Sequence, residues 1–258
     1  MPTRIIAIAN QKGGVGKTTT TINLGTALAD LGHRVLIVDG DPQANTTSGL
    51  GITADPSRSS IYDVVVLGRP LAEARIPTMV PNLELVGLAR REMRLRYALE
   101  ALEGTDDYLL IDCPPSLGLL TVNAVVAAHS LLVPIQCEYY ALEGLGLITH
   151  TLELLRRELN PALVVDGIVL TLHDPRLTLS TQVVEEVRRR FPDETMDTVI
   201  PRNVRLSEAP SHGLPINRYD PTCRGAAAYA RLAAELHDRV TGRTRSLAGR
   251  GAVSPTVR

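Results

Sequence analysis

The sequence predicts a single doubly wound α/β domain, in which a mostly parallel sheet carries helices on both faces. Five short segments are apolar almost throughout instead of alternating with polar residues, which is typical of strands covered on both faces. Segments with helical periodicity lie between them, and this alternation favours right-handed βαβ crossovers. A length of 258 residues is enough for one large α/β domain or two small ones. The continuous alternation of strands and helices implies one domain, and the sequence shows no internal repeat.

Each predicted element follows from the local pattern of side chains. Strands are expected at residues 5–9, 35–38, 108–111, 131–135 and 164–170, with a late strand at 195–200. Helices are expected at 18–31, 117–128, 142–159, 179–191 and 223–240. The domain is expected to span residues 1–241, and residues 242–258, rich in Gly, Ser and Arg, to form a flexible basic tail.

The composition excludes several classes of protein. The chain has no Trp and one Phe, so its core must be built from Leu, Val, Ile and Ala. Its three cysteines are widely separated and form no metal-binding or disulfide pattern, which favours a reducing cytoplasm. Residues 113–137 carry no charge, but Asn123 and Pro134 interrupt this stretch. A buried helix followed by a buried strand explains it better, and we expect no membrane span. The last predicted helix gives way to Gly242 and a polar tail with no bulky apolar face, so we also expect no membrane partner.

The net charge of −1 conceals an uneven distribution of charge. Residues 188–258 contain 13 Arg and seven acidic residues, whereas the rest of the chain has more acidic than basic residues. A basic C-terminal third can contact nucleic acid or an acidic partner. Arginines that are simply solvated on helix faces would give the same composition. Charge alone therefore does not show whether this region contacts nucleic acid or an acidic partner.

Lysine occurs only at positions 12 and 17, within one glycine-rich loop. Since the chain otherwise uses arginine, these two positions require a compact ammonium group on a flexible stem. The segment 13–18, Gly-Gly-Val-Gly-Lys-Thr, follows a predicted strand and opens a predicted helix, which is the context of a phosphate-binding P-loop. Lys17 is expected to reach the β- and γ-phosphates of a nucleotide, and the Thr18 hydroxyl to bind Mg²⁺. The predicted fold is therefore that of a P-loop NTPase.

The spacing of this loop departs from the commonest P-loop pattern. Counting back from Gly16 places Gln11 where the first glycine would stand. The loop resembles the deviant Walker A motif of the ParA/MinD family of partition and positioning ATPases, whose additional lysine corresponds to Lys12. The resemblance implies that Lys12 reaches the phosphates of the partner subunit's ATP across a homodimer, much as an arginine finger does. The ATP-binding residues are then expected to be Lys12, Gly13, Gly14, Val15, Gly16, Lys17, Thr18 and Thr19.

Three further segments match the same family in the same order. Residues 38–43 follow the second strand, and the resemblance implies that Asp41 orients the water that attacks ATP; an acid that only caps a turn is the alternative. Asp112 ends an apolar strand in the Walker B arrangement, and the resemblance implies that it binds the Mg²⁺ shell through water, while the Thr18 hydroxyl binds the ion. In relatives the loop after the late strand frames the adenine, which makes Pro201 and Asn203 candidate adenine-binding residues.

The resemblance extends over about residues 3–240, and the segments 138–144 and 207–213 place the chain nearest the ParA/Soj branch. It implies a cytoplasmic, nucleoid-associated ATPase that segregates chromosomes or plasmids. Such a protein is expected to bind non-specific double-stranded DNA as a homodimer and to be stimulated by a ParB-type partner. The candidate residues for contact with DNA phosphates are Arg202, Arg205, Arg218 and Arg224.

Two other functions remain open from the sequence. A MinD-like or polarity-type positioning ATPase would dock on a protein scaffold instead of DNA. A metabolic P-loop enzyme, such as a small-molecule kinase or ligase, would need an acceptor pocket, and the sequence shows no inserted segment that would supply one.

Overall fold

The structure, a computed structural model, describes residues 3–10, 12–41, 43–53, 73–87, 104–115, 119–138, 157 and 160–242. These residues form a seven-stranded sheet of order β3-β4-β2-β5-β1-β6-β7. Neighbouring strands run parallel throughout, except that β3 is antiparallel to β4. The strands are β1 Arg4–Ile8, β2 Val35–Asp39, β3 Ile76–Pro77, β4 Leu83–Gly87, β5 Tyr108–Asp112, β6 Ser130–Gln136 and β7 Val164–Thr171.

Helices connect the strands and complete the described part of the chain. They are α1 Lys17–Asp30, α2 Asn45–Gly49, α3 Leu119–Ala127, α4 Thr178–Arg190, α5 Val204–Glu208, α6 Ile216–Tyr219 and α7 Arg224–Thr241, with a 3₁₀ turn at Ala209–His212. The helices predicted at 18–31, 117–128, 179–191 and 223–240 are confirmed with small shifts of their ends. The helix predicted at 142–159 lies outside the described residues, apart from Arg157, which is helical.

Apolar side chains cover both faces of the sheet, as the doubly wound prediction requires. Successive residues of a strand point to opposite faces, so the central strands contribute to two cores. Leu36 and Ile111 belong to the core that includes α3 and α4 residues. Ile37 and Leu110 belong to the core that includes α1 and α7 residues. The predicted fold class is confirmed.

The late strand predicted at 195–200 is wrong as a continuous strand. In this described segment, Thr195 and Pro201 form isolated bridges, to Ile168 and His173 respectively. Between them, the N–H groups of Asp197 and Thr198 donate to the Glu235 carboxylate of α7, at 2.7 and 2.9 Å. Met196 and Ile200 donate to the Ile168 and Leu170 carbonyls of β7, at 2.9 and 2.8 Å. The pairing with β7 is therefore interrupted at residues 197 and 198, and no continuous ladder forms.

Two further expectations concern the cysteines and the membrane. Cys113 and Cys137 are buried and Cys223 is partly buried, and all three are free thiols. Within the described ranges, no helix has the length and apolarity that crossing a membrane requires.

The predicted tail begins where α7 gives way to Gly242, and residues 243–258 lie outside the described part, so the domain boundary stays a prediction.

Candidate functional site

The carboxyl ends of three adjacent strands bring the predicted site residues together. Asp112, at the end of β5, is in register with Ile8 of β1 on one side and with Asp39 of β2 on the other. The glycine-rich loop follows β1, and Asp41 follows β2 by two residues. In an open parallel sheet this edge is where ligands bind. The sheet order thus brings together the residues predicted to bind the phosphates, to bind the metal and to orient the water.

The glycine-rich loop has the backbone conformation that only glycine adopts readily. Gly14 and Gly16 have φ values of 75° and 87°, in the left-handed region. Gly16 is also the N-cap of α1, so the unpaired N–H groups of the first helical turn face the loop. Thr18 and Thr19 follow in that first turn. On the other side, the Thr171 hydroxyl at the end of β7 donates to the Val15 carbonyl at 2.9 Å and fixes the loop against the sheet.

The Lys17 side chain is buried, with 7% of the residue exposed. Its Nζ donates to the carbonyl oxygen of Lys12 at 3.1 Å. Burial lowers the pKa of Lys17, while the carboxylates of Asp112 and Asp41 act in the opposite direction. A buried cation that bonds a neutral carbonyl and lies beside a helix N-terminus is suited to bind an anion.

Lys12 is placed differently from Lys17. Its side chain is 39% exposed, and its Nζ lies 3.8 Å from Oε2 of Glu138, just beyond β6. The Lys12 backbone is held by Asn10, whose side-chain oxygen accepts the Lys12 N–H at 3.0 Å and whose amide group donates to the Pro134 carbonyl. The backbone is thus fixed, while the ammonium group lies at the surface of the described chain.

Asp112 has one engaged carboxylate oxygen and one that is not engaged. The residue is fully buried, and its Oδ2 accepts hydrogen bonds from the hydroxyls of Thr18 at 2.8 Å and Thr46 at 2.7 Å. Its Oδ1 is buried and has no hydrogen-bond partner in the described part of the chain. Burial raises the pKa of Asp112 to about 6, against the effect of the two hydroxyl bonds. A buried carboxylate oxygen without a partner, next to a threonine hydroxyl, fits the oxygen ligands that Mg²⁺ prefers.

Two aspartates at the carboxyl end of β2, Asp39 and Asp41, have different surroundings. Asp39 is buried, and its Oδ2 accepts both the N–H and the hydroxyl of Thr47, at 2.9 and 2.6 Å. Burial raises the pKa of Asp39. Asp41 is half-buried, and its Oδ1 accepts the Gln43 N–H at 3.0 Å. Asp39 therefore anchors the loop to α2, and Asp41 is the carboxylate nearer to solvent that could face a water molecule.

The predicted adenine-binding residues lie at the same edge, beyond β7. Pro201 forms its bridge with His173, and the Arg202 N–H donates to the His173 carbonyl at 2.8 Å. The side-chain oxygen of Asn203 accepts the Arg205 N–H at 2.9 Å and caps α5. This cap fixes the orientation of the Asn203 amide group, and its role toward adenine stays a prediction.

Three of the four arginines predicted to contact DNA are paired with carboxylates. Arg202 lies 3.5 Å from Glu138, and Arg218 lies 2.7 Å from Asp30. Arg205 forms ion pairs with Glu208 at 2.8 Å and with Asp220 at 3.4 Å. Arg224, the first residue of α7, is exposed and forms no ion pair with any residue that the structure describes. Arg224 is thus the candidate whose charge is least compensated.

Two residues that bond the site carboxylates are not predicted from the sequence. Thr46 and Thr47 are buried in α2 and contact Asp112 and Asp39 respectively. The sequence offers a weak signal, a pair of hydroxyl residues shortly after Asp41. Which carboxylates these threonines contact becomes known only when the sheet order places β2 beside β5.

Comparison with known proteins agrees with this geometry. Residues 3–165 match a family model described as an AAA domain. The chain is 52% identical over 247 residues to the sporulation initiation inhibitor protein Soj of Bacillus subtilis (strain 168), covering 90% of this chain and 98% of that protein. It is 51% identical over 254 residues to the chromosome partitioning protein ParA of Caulobacter vibrioides (strain NA1000 / CB15N), covering 92% and 95%.

A solved structure of similar fold is cobyrinic acid a,c-diamide synthase from Mycobacterium smegmatis with bound ATP analog and magnesium. Its TM-score is 0.80 at 35% sequence identity, covering 93% of this chain and 96% of that chain. The sequence identity to Soj and ParA is considerably higher and extends over almost their whole lengths. The chain therefore belongs to the ParA/Soj family of chromosome partitioning proteins, a branch of the ParA/MinD family.

Proposed function

We propose that this protein is an ATP-dependent DNA-segregation ATPase that hydrolyses ATP to ADP and phosphate. The observation that carries the proposal is the arrangement around Asp112. Its buried, unpartnered Oδ1 lies at the same strand edge of the described sheet as the Thr18 hydroxyl and the Lys17 ammonium group. Two oxygen ligands for a metal ion and a cation for phosphate oxygens are together suited to bind a polyphosphate with its Mg²⁺ ion.

The ATP phosphates are bound by the glycine-rich loop. The N–H groups of residues 13–16 and the N-terminus of α1 surround them, and Lys17 leaves the Lys12 carbonyl to bind the β- and γ-phosphates. Thr18 and Asp112 hold Mg²⁺, which neutralises charge on the phosphate oxygens when it is bound. Pro201 and Asn203 are proposed to contact the adenine.

Asp41 is proposed to orient the attacking water. It is half-buried, near the site, and is not engaged as fully as Asp39. A carboxylate in this position accepts a hydrogen bond from water and holds it in line with the γ-phosphate.

Lys12 is proposed to act on the ATP of a second subunit. Its side chain is at the surface, and its ion pair with Glu138 is long and partly solvated. Exposed pairs of this kind contribute about 1 kcal/mol or less, so a phosphate group can displace Glu138. ATP then joins two subunits, and hydrolysis separates them.

The dimer is proposed to bind double-stranded DNA without sequence preference and to associate with the nucleoid. Arg224 supplies a charge that no described residue compensates, and Arg202, Arg205 and Arg218 contribute where DNA phosphates displace their carboxylate partners. Two such surfaces side by side bind more tightly than one, which makes binding depend on dimerisation. A ParB-type partner is proposed to stimulate hydrolysis and release the DNA.

The test is binding to a non-specific DNA duplex with ATP, with ADP and without nucleotide, at two salt concentrations. We expect binding only with ATP and Mg²⁺, weakened strongly by salt. Arg224→Ala should reduce the affinity and make the plot of log affinity against log salt concentration shallower by about one, the effect of a single phosphate interaction. Full affinity and an unchanged slope in this variant would remove Arg224 from the DNA surface.

The same experiment distinguishes the alternatives. ATP-dependent dimerisation without any DNA binding would favour a positioning ATPase that docks on a protein scaffold. An absence of both, with ATP consumed only when an acceptor is added, would favour a synthase such as the Mycobacterium smegmatis protein.

A further inference from the structure

Thr46 contacts the metal-site carboxylate from a different element than Thr18. It belongs to α2, is fully buried, and donates from Oγ1 to Asp112 Oδ2 at 2.7 Å. Thr18, in α1, donates to the same oxygen at 2.8 Å. Two hydroxyls from two helices therefore converge on a single oxygen of Asp112.

This convergence fixes the orientation of the carboxylate. An ionised carboxylate oxygen has two lone-pair sites, and the hydroxyls of Thr18 and Thr46 fill both on Oδ2. Oδ1 is left as the oxygen without a partner in the described part of the chain. A threonine hydroxyl that binds a metal through its oxygen still has its proton to donate, so Thr18 can keep its bond to Asp112. Thr46, by contrast, is assigned no metal contact and acts on the carboxylate alone.

Thr46 also connects Asp112 to the turn that contains Asp41. The Ala44 N–H donates to the Asp41 carbonyl at 2.9 Å, and α2 begins at the next residue. Ala44 has a φ of 53°, an uncommon conformation for a residue with a Cβ atom. The neighbouring Thr47 holds Asp39. One short helix thus contacts the carboxylates at the ends of β2 and β5.

We propose that Thr46 is a positioning residue that directs Asp112 Oδ1 toward Mg²⁺ and couples the occupancy of the metal site to the Asp41 turn. The proposal rests on the proposed function of Asp112 as a metal-binding residue. Groups that orient the ligands of a metal typically change its affinity by roughly ten- to a hundredfold when they are removed.

The experiment measures binding of a non-hydrolysable ATP analogue as a function of Mg²⁺ concentration, and in EDTA. Thr46→Val removes the hydroxyl and keeps the shape of the side chain. We expect it to raise the Mg²⁺ concentration for half-maximal effect roughly ten- to a hundredfold, with nucleotide affinity in EDTA unchanged. Thr46→Ser should restore the parental Mg²⁺ dependence.

Thr26→Val is the matched control. Thr26 is also fully buried in a helix, but its hydroxyl donates to the Ile22 carbonyl at 2.8 Å, away from the site. This variant should keep the parental Mg²⁺ dependence. If Thr46→Val does not fold, Thr46→Ala removes the same hydroxyl with less steric demand and should shift the Mg²⁺ requirement in the same direction.

Hydrogen exchange supplies a second readout, independent of catalysis. In the parent, Mg²⁺ with the analogue should slow exchange of the backbone amides of residues 45–50, and Thr46→Val should lose this added protection. Equal Mg²⁺ dependence and equal protection in Thr46→Val and the parent would overturn the inference. A parent that binds the analogue with no influence of Mg²⁺ would instead overturn the proposed metal site itself.

Discussion

The two ends of the central strands use similar residues in opposite ways. At the amino end of β5, Asp106 is buried and receives two hydrogen bonds from the Arg75 guanidinium group, at 2.6 and 3.0 Å. At the carboxyl end of the same strand, Asp112 is similarly buried but accepts only neutral hydroxyl groups and retains an oxygen without a partner in the described part. One aspartate is neutralised within the fold, and the other is not.

This contrast separates stability from function. A buried charge with its counter-ion in place is tolerated, whereas a buried charge without one is unfavourable until a ligand supplies the compensation. Unusual backbone conformations are also more frequent at the carboxyl edge of the sheet, where the site lies. Of the three residues other than glycine with positive φ in the described ranges, Ala44 precedes α2 and Leu172 follows β7, both at the carboxyl edge, and Asn82 lies in the turn before β4.

The largest effect is expected from Lys17. Lys17→Ala removes the buried cation of the phosphate site and should abolish detectable nucleotide binding, while the circular dichroism spectrum stays that of a folded protein. Isothermal titration with ATP and Mg²⁺ measures this. Nucleotide affinity within a few-fold of the parent would show that the phosphates bind elsewhere.

Asp106→Asn should weaken the fold and spare the site. It leaves the Arg75 guanidinium group with Glu84 at 2.6 Å but without its buried partner. Breaking a buried ion pair on one side should lower the free energy of unfolding by about 3 kcal/mol, measured by urea unfolding. Nucleotide and Mg²⁺ affinity should be unchanged in the folded protein. A variant that loses nucleotide affinity and keeps its stability would reverse the comparison.

Asp112→Asn makes the same substitution at the other end of β5 and should have the opposite outcome. The neutral amide keeps the shape but binds Mg²⁺ poorly, so the stimulation of nucleotide binding by Mg²⁺ should be lost. Because burial raises the pKa of Asp112, the ionised form is unfavourable in the ligand-free fold. Loss of the buried charge offsets the cost of burying an amide group without a partner, so the variant should be about as stable as the parent at pH 7. Urea unfolding without nucleotide tests this, and a clear loss of stability would contradict it.

The smallest effect concerns a pair of histidines at the amino edge. The rings of His33 and His237 lie 4.4 Å apart, and Tyr108 Oη lies 2.8 Å from Nδ1 of His237. Burial and the neighbouring His237 lower the pKa of His33, although Asp107 acts in the opposite direction. The unfolded chain then takes up the proton first as pH falls, so this group reduces stability below about pH 6.5.

His33→Gln should make the loss of unfolding free energy between about pH 7 and pH 5.5 smaller than in the parent. Parallel urea titrations at the two pH values measure the difference. An equal or steeper loss in the variant would show that His33 is not held in its neutral form.

Features that depend on local pattern can be predicted from the sequence. The five buried strands and α1 follow from contiguous apolar runs and from the glycine-rich loop, which is a local motif. Strand β4 cannot be predicted in this way because Glu84 interrupts its apolar pattern, and Arg75, which compensates that charge, lies on another segment. The failed strand at 195–200 has a similar origin, since Glu235 of α7 accepts the N–H groups of Asp197 and Thr198 in its middle.

The site shows the same limit of local information. The positions of Lys17, Thr18 and Asp112 can be predicted because each lies next to a recognisable strand or helix end. The contacts of Thr46 with Asp112 and of Thr47 with Asp39 cannot, because they require β2 and β5 to be neighbours. The compensation of arginines by carboxylates from other segments, such as that of Arg218 by Asp30, likewise depends on tertiary structure.

The molar mass of the protein in solution, measured by light scattering with ATP and Mg²⁺, tests the proposed nucleotide-driven dimer most directly. We predict that Asp41→Ala is a persistent dimer, because it binds ATP and does not hydrolyse it. Lys12→Ala is predicted to bind ATP and remain a monomer, because the lysine acts on the ATP of the second subunit. A dimer of Lys12→Ala as stable as that of Asp41→Ala would contradict the proposal that Lys12 acts on the ATP of the second subunit.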